Sequence, residues 1–222
     1  MTGMRMLVAL AAATCIGTSC SSATPAPRSR PPDQPGPSAS SPGPSLPAGT
    51  RELPAVEGAG LPSGRFTKGD FSPRLSFHLD AGWHVGHDLA GFFDVQHRPG
   101  SLDVIAVQFA LPVSATRSEV AIRQLRRMAG LHVTDRGRTS VGGLPAREVL
   151  IDSSNPHLRP PKYTPIFSVA SGSLYIGSGR RLLVDFVETR GALLAVLVGG
   201  SDRSWAAAMR AARPVVGSIR FL

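Results

Sequence analysis

No cysteine occurs after Cys20 in this chain of 222 residues, and the other one, Cys15, belongs to the same leading stretch. A disulfide framework for the body of the protein is excluded, and so is a thiolate metal site there. Lysine is nearly missing: the 24 basic residues are arginine apart from Lys68 and Lys162. With 15 acidic residues they leave a formal charge of +9, yet the arginines are scattered and no RNA- or DNA-binding motif accompanies them. Nucleic acid is therefore not an expected partner, and a solvated basic surface drawn to anionic headgroups or acidic wall polymers accounts for the charge. Aromatics make up 6%, with Trp83 and Trp205 the only tryptophans, which weakens a carbohydrate-stacking reading. Gly-x-Ser-x-Gly and Ser-x-x-Lys are both absent, and no close pair of acids stands out as a general acid and base.

Long apolar runs are lacking too. Leu7–Gly17 (LVALAAATCIG) and Ala192–Val198 (ALLAVLV) fall short of the roughly 20 residues that a spanning helix needs. The first run follows the charged Arg5 and precedes the small Thr18 and Ser19, the order of a secretory leader. Gly17-Thr18-Ser19-Cys20, followed by Ser21-Ser22, resembles the processing site of bacterial lipoproteins. That resemblance implies cleavage before Cys20 and acylation of its thiol, with residues 1–19 discarded. In this family Leu, Val or Ile usually stands where Gly17 does. An ordinary secretory leader with an incidental Cys20, giving a secreted protein, is the alternative. Since Cys20 has no cysteine partner downstream, lipid attachment explains it best, and it places the protein on the outer face of the cell membrane.

Residues 21–63 hold 11 of the 20 prolines, with Ser, Ala and Gly and few large apolar residues. Such a segment cannot offset its ordering entropy and is expected to be a disordered tether. Residues 64–222 then form one domain, a comfortable size for a single core. Leu75, Phe77 and Leu79 alternate with Ser76 and His78 as in a half-buried strand. Further strands are expected at 92–96, 102–110, 146–151, 166–170, 174–176, 182–188, 192–198 and 217–221, with 189–191 as a hairpin loop. One helix is expected behind a Thr116-x-x-Glu119 capping box, with Ala121, Ile122, Leu125, Met128 and Ala129 inward and Arg123, Arg126 and Arg127 outward. A second sets Trp205, Ala208, Met209 and Ala212 on one face and stops at Arg213-Pro214. The order implies an α+β domain: a twisted antiparallel β-sheet with packed helices.

Three phrases, FSPRLSFHLDAGWHV (Phe71–Val85), TSVGGLPAREVLID (Thr139–Asp152) and ARPVVGSIRF (Ala212–Phe221), resemble those of actinobacterial envelope lipoproteins with a PsbP-like domain. The resemblance implies an α-β-α sandwich and no shared catalytic residues.

Histidines offer the one constellation with metal-ligand chemistry: His78, His84, His87 and His97, with Asp80, Asp88 and Asp94 among them. His84, His87 and His97 are the metal candidates, but His78 falls on the outward side of its strand, and Gly82 and Gly86 suggest turns bearing solvated histidines. Ser171, Ser173 and Ser178 in ASGSLYIGSGRR lack the strand-to-helix context of a phosphate loop, so their glycines read as hairpin turns. Adjacent Phe92 and Phe93 point to opposite strand faces, which leaves one of them free for a contact patch. The proline-rich loop Ser153–Pro165, with nearby arginines, is the expected contact region for a partner. The favoured reading is a non-catalytic binding module without cofactor, lipid-anchored and meeting an envelope protein, lipid or wall polymer. An envelope hydrolase or metal-dependent enzyme around His84 and His87 is the first alternative. A carrier holding an apolar ligand between sheet and helix is the second.

Overall fold

The structure, a computed structural model, describes residues 46–97, 105–153 and 163–222. In chain order these form β1 (Arg51–Glu52), β2 (Gly60–Leu61), β3 (Gly64–Thr67), β4 (Leu75–Leu79), β5 (Trp83–Leu89), β6 (Phe92–His97) and β7 (Ile105–Ala110). Then follow α1 (Ser118–Arg126), β8 (His132–Val141), β9 (Leu144–Asp152), β10 (Tyr163–Val169), β11 (Gly172–Gly177), β12 (Arg180–Thr189), β13 (Ala192–Ser201), α2 (Trp205–Gly217) and β14 (Arg220–Phe221).

Eight strands pair antiparallel in the order β2-β5-β6-β7-β13-β12-β9-β8. β12 and β13 sit in the middle and are apolar on both sides, as strands covered on both faces must be. Leu183, Val187, Leu194, Val196 and Val198 pack with α2 and a smaller sheet, β1-β3-β4-β14. Leu182, Val184, Phe186, Leu193, Ala195 and Leu197 pack with α1 and the β10–β11 hairpin. The chain thus forms the expected α+β class, an antiparallel sheet with a helix on each face. Phe77 of the small sheet stacks on Phe109 (5.3 Å), which stacks on Phe93 (4.5 Å), joining the two sheets through aromatic contact. Lys68, just past β3, is buried between Asp70 (2.8 Å) and Asp88 of β5 (2.9 Å), a second tie between them.

Several expectations are corrected. Residues 51–61, expected to be disordered, join the fold: β1 pairs with β3, β2 pairs with β5, and Leu53 and Leu61 are buried. Two apolar side chains suffice there because short edge strands borrow an existing core. Thr116 and Glu119 form no capping box; the Ser118 N–H and Oγ donate instead to Glu188 on β12, at 2.9 and 2.7 Å. α2 runs through Pro214 to Gly217, with that proline exposed in the last turn so that water can satisfy the carbonyl it leaves unbonded, and the final strand shrinks to two residues. Neither Phe92 nor Phe93 is free for contact, since each is buried in a different core. Gly86 lies within β5, not in a turn, at an irregularity in the pairing with β6.

A cleft between the second helix and the sheet

The early histidines do not converge. His84 stands opposite Gln96, whereas His97 stands opposite Trp83 on the other side of the β5–β6 pair, its ring edge-on to the indole at 5.4 Å. His87 leans on Asp94: its Nδ1 is 3.3 Å from Asp94 Oδ1, an oxygen that also accepts the His87 backbone N–H. Gln96 Nε2 donates to the other oxygen of Asp94 at 3.0 Å. The hydrogen bond to Asp94 raises the His87 pKa against the opposing effect of burial. Nδ1 of His84 and Nδ1 of His97 are buried without a hydrogen-bond partner. The exposed side chain of His78 lies 3.8 Å from Asp80, and its backbone N–H donates to Ser218 Oγ. Among the described residues no three His, Cys, Asp or Glu side chains group as a metal site would require. The metal candidates His84, His87 and His97 are therefore not gathered into one ligand set among the described residues.

Cys20 lies outside the described residues, as does 154–162 of the expected contact loop. Ser153, at its start, is buried and bonds the carbonyls of Gly177 and Arg180. Ser171 and Ser178 lie in the turns beside β11 and Ser173 in the strand, as the hairpin reading expects. Of the outward arginines of α1, Arg126 reaches Asp135 on β8 at 3.6 Å. Asp135 is already held by Arg147 through two hydrogen bonds, of 3.0 and 2.6 Å, which press its pKa down to about 2. Glu119, Ile122 and Arg123 complete this groove of about 190 Å³, whose charges largely answer one another.

A different cleft, of about 220 Å³, opens between α2 and the large sheet. Met209, Arg213 and Val216, at i, i+4 and i+7, give it one wall, while Ala208, Ala212 and Val215 anchor the helix in the core. Gly200 permits the close approach of the helix, since a Cβ there would lie 3.1 Å from that of Ala208. Leu183, Asp185 and Val198 line the cleft from the central strands, Glu148 from β9, and Arg136, Thr139 and Ser140 from β8. Strict alternation would send Arg136 and Thr139 to opposite faces. The bulge between Asp135 and Gly137 shifts the phase by one, so both reach the cleft.

Asp185 is the anomalous member. It is 7% exposed, within the run of buried residues from Leu182 to Val187, and its Oδ1 has no hydrogen-bond partner. Burial, and then the charge of Glu148 directly opposite in the β9–β12 register, push its pKa up to about 7. Glu148 itself meets Arg136 at 3.4 Å near the surface. The cleft therefore joins an apolar wall, a desolvated carboxyl and two arginines, Arg136 and Arg213, the arrangement of a small-ligand site with few polar groups. The sequence reading missed it, although the single acid Asp185 inside the apolar run LLVDFV was the available signal.

No family model and no curated protein matches the chain. Among solved structures it is similar to LpqN of Mycobacterium tuberculosis, described as involved in cell envelope biogenesis. The identity is 13%, over 71% of this chain and 90% of that one, with a TM-score of 0.43. It is also similar to cyanobacterial PsbP from Synechocystis, at 12% identity over 77% of this chain and 99% of that one, with a TM-score of 0.43.

Proposed function

We propose that the protein is an exported, lipid-anchored binding module of the cell envelope, non-catalytic, whose ligand site is the cleft beneath α2. The observation that carries this reading is Asp185: a buried carboxyl without a full set of partners costs stability, and such a cost is retained where function uses the group. The cleft lies below the roughly 300–1,000 Å³ of pockets for drug-sized ligands, so it suits a short amphiphile or one segment of a longer one. Acylation at Cys20, with the residues up to about 50 as spacer, would hold the domain off the membrane while keeping it at the surface.

The binding claim is tested on the full-length protein by following the Met209 methyl signal while 1-hexanol is added. A saturable shift at Met209, with none at Met128 beside α1, is expected; a Met209 signal that neither hexanol nor a charged hexyl probe moves overturns the cleft as a site. The anchor is tested separately. Cys20→Ala should move the protein from the detergent phase to the aqueous phase or leave it unprocessed, and unchanged partition refutes it.

A further inference from the structure

Which ligand chemistry the cleft accepts follows from where its charges lie, and this step rests on the binding reading above. The two arginines are at the rim: the Arg136 side chain is 50% exposed and Arg213 is exposed, so both are solvated without a ligand. The carboxyl of Asp185 is the desolvated group, below them and flanked by Leu183 and Val198. Facing it are Glu148 on β9, Arg136 on β8 and Arg213 on α2, while β13 contributes only Val196 and Val198.

We propose that the cleft selects a cationic amine: a primary ammonium group directed at Asp185, with its apolar portion along Leu183, Val198, Met209 and Val216. An anionic amphiphile would keep its charge with the rim arginines and lay its apolar part over Asp185, leaving that carboxyl covered and still short of a donor. A neutral alcohol supplies one hydrogen bond but no compensating charge. An ammonium supplies a hydrogen bond in which both partners are charged, and its positive charge also offsets the repulsion between Asp185 and Glu148. Because the bound cation requires the ionised carboxylate and burial favours the protonated acid, amine affinity should rise with pH toward neutrality and then level off.

Three probes of equal length separate these cases on the full-length protein, with the Met209 methyl signal as readout: hexylammonium, 1-hexanol and hexanoate. The expected order is ammonium, alcohol, carboxylate, with about a tenfold advantage of the first over the second at pH 7.5 that shrinks by pH 5.5. Asp185→Asn should bring hexylammonium to the level of hexanol and leave hexanol within about twofold. Glu148→Gln should retain a pH-dependent preference, which assigns the titration to Asp185. Hexanol or hexanoate binding as tightly as hexylammonium overturns the selectivity but leaves the cleft standing as a site. If none of the three moves Met209, the cleft reading falls as well. Should Asp185→Asn not fold, the ranking of probes on the native protein still decides.

Discussion

Asp185→Asn should make the protein more stable, and more so the higher the pH. The folded state holds the proton of Asp185 up to about pH 7, whereas an unfolded chain releases it near 3.8. Below 3.8 both states are protonated and burial of the group carries no ionisation cost. As pH rises the unfolded state gains from ionising and the folded state does not, so stability falls until the folded carboxyl ionises as well. At about 1.4 kcal/mol per pH unit, the gap of roughly three units corresponds to about 4 kcal/mol, an upper bound because the cleft admits water. A loss of about 2–4 kcal/mol between pH 4 and pH 8 is expected from this residue alone. For a domain of this size that is a shift of about 5–10 °C in Tm. The asparagine variant keeps the shape and cannot ionise, so it should melt close to the native protein at pH 4 and several degrees above it at pH 8. Thermal unfolding by circular dichroism at four pH values provides the difference curve. A difference that is flat with pH, or that grows toward acid, refutes the placement of Asp185 as a desolvated acid.

His87, bonded to Asp94, should titrate above 6.5 in an NMR pH series, and Asp94→Asn should lower its midpoint, because burial then outweighs the remaining upward pull of Glu57. The stabilisation from the charged pair is present below 6.5 and is lost as pH rises through the raised midpoint; an unchanged midpoint in the variant contradicts the pairing. Glu188→Ala removes the acceptor for the first N–H of α1, which has no side-chain cap of its own, and should cost about 1 kcal/mol in urea unfolding together with faster amide exchange in that turn. Gly142→Ala should destabilise by about 1 kcal/mol or more, because φ is +59° and the new Cβ would lie 2.8 Å from the Phe221 ring. Native-like stability in that variant would mean that the ring is free to move aside.

The parts of the fold that could be read from sequence are those whose apolar pattern is dense. β4, β12, β13, the inward Ala121, Ile122 and Leu125 of α1 and the stripe of α2 followed from periodicity, whereas Ala129, expected inward, lies exposed beyond the end of α1. β8 escaped because it is an edge strand: in HVTDRGRTSV only Val141 is fully buried, so no alternation records its pairing with β9. β5 was hidden by Gly82 and Gly86, the second lying inside the strand, where a side chain would collide with Asp94. The cleft was illegible for another reason. Arg136, Glu148, Asp185 and Arg213 come from four elements, and only the bulge in β8 and the sheet register bring them together. Proximity in sequence instead drew attention to histidines that alternation sends to opposite faces.

The small sheet imposes an order in time. Its strand β14, residues 220–221, pairs with β4, residues 75–79, and the Leu222 N–H bonds the carbonyl of Arg74. β4 also pairs with β3, so the opening and closing stretches of the domain meet in one sheet. β3 reaches β4 through a short link, whereas every element from β5 to α2 lies between β4 and β14, so local pairing leaves one edge of β4 bare until that long-range contact closes. Weakening the β14–β4 pair should therefore bare an edge strand inside the domain, with the pairing hazards of one, and not merely fray an end.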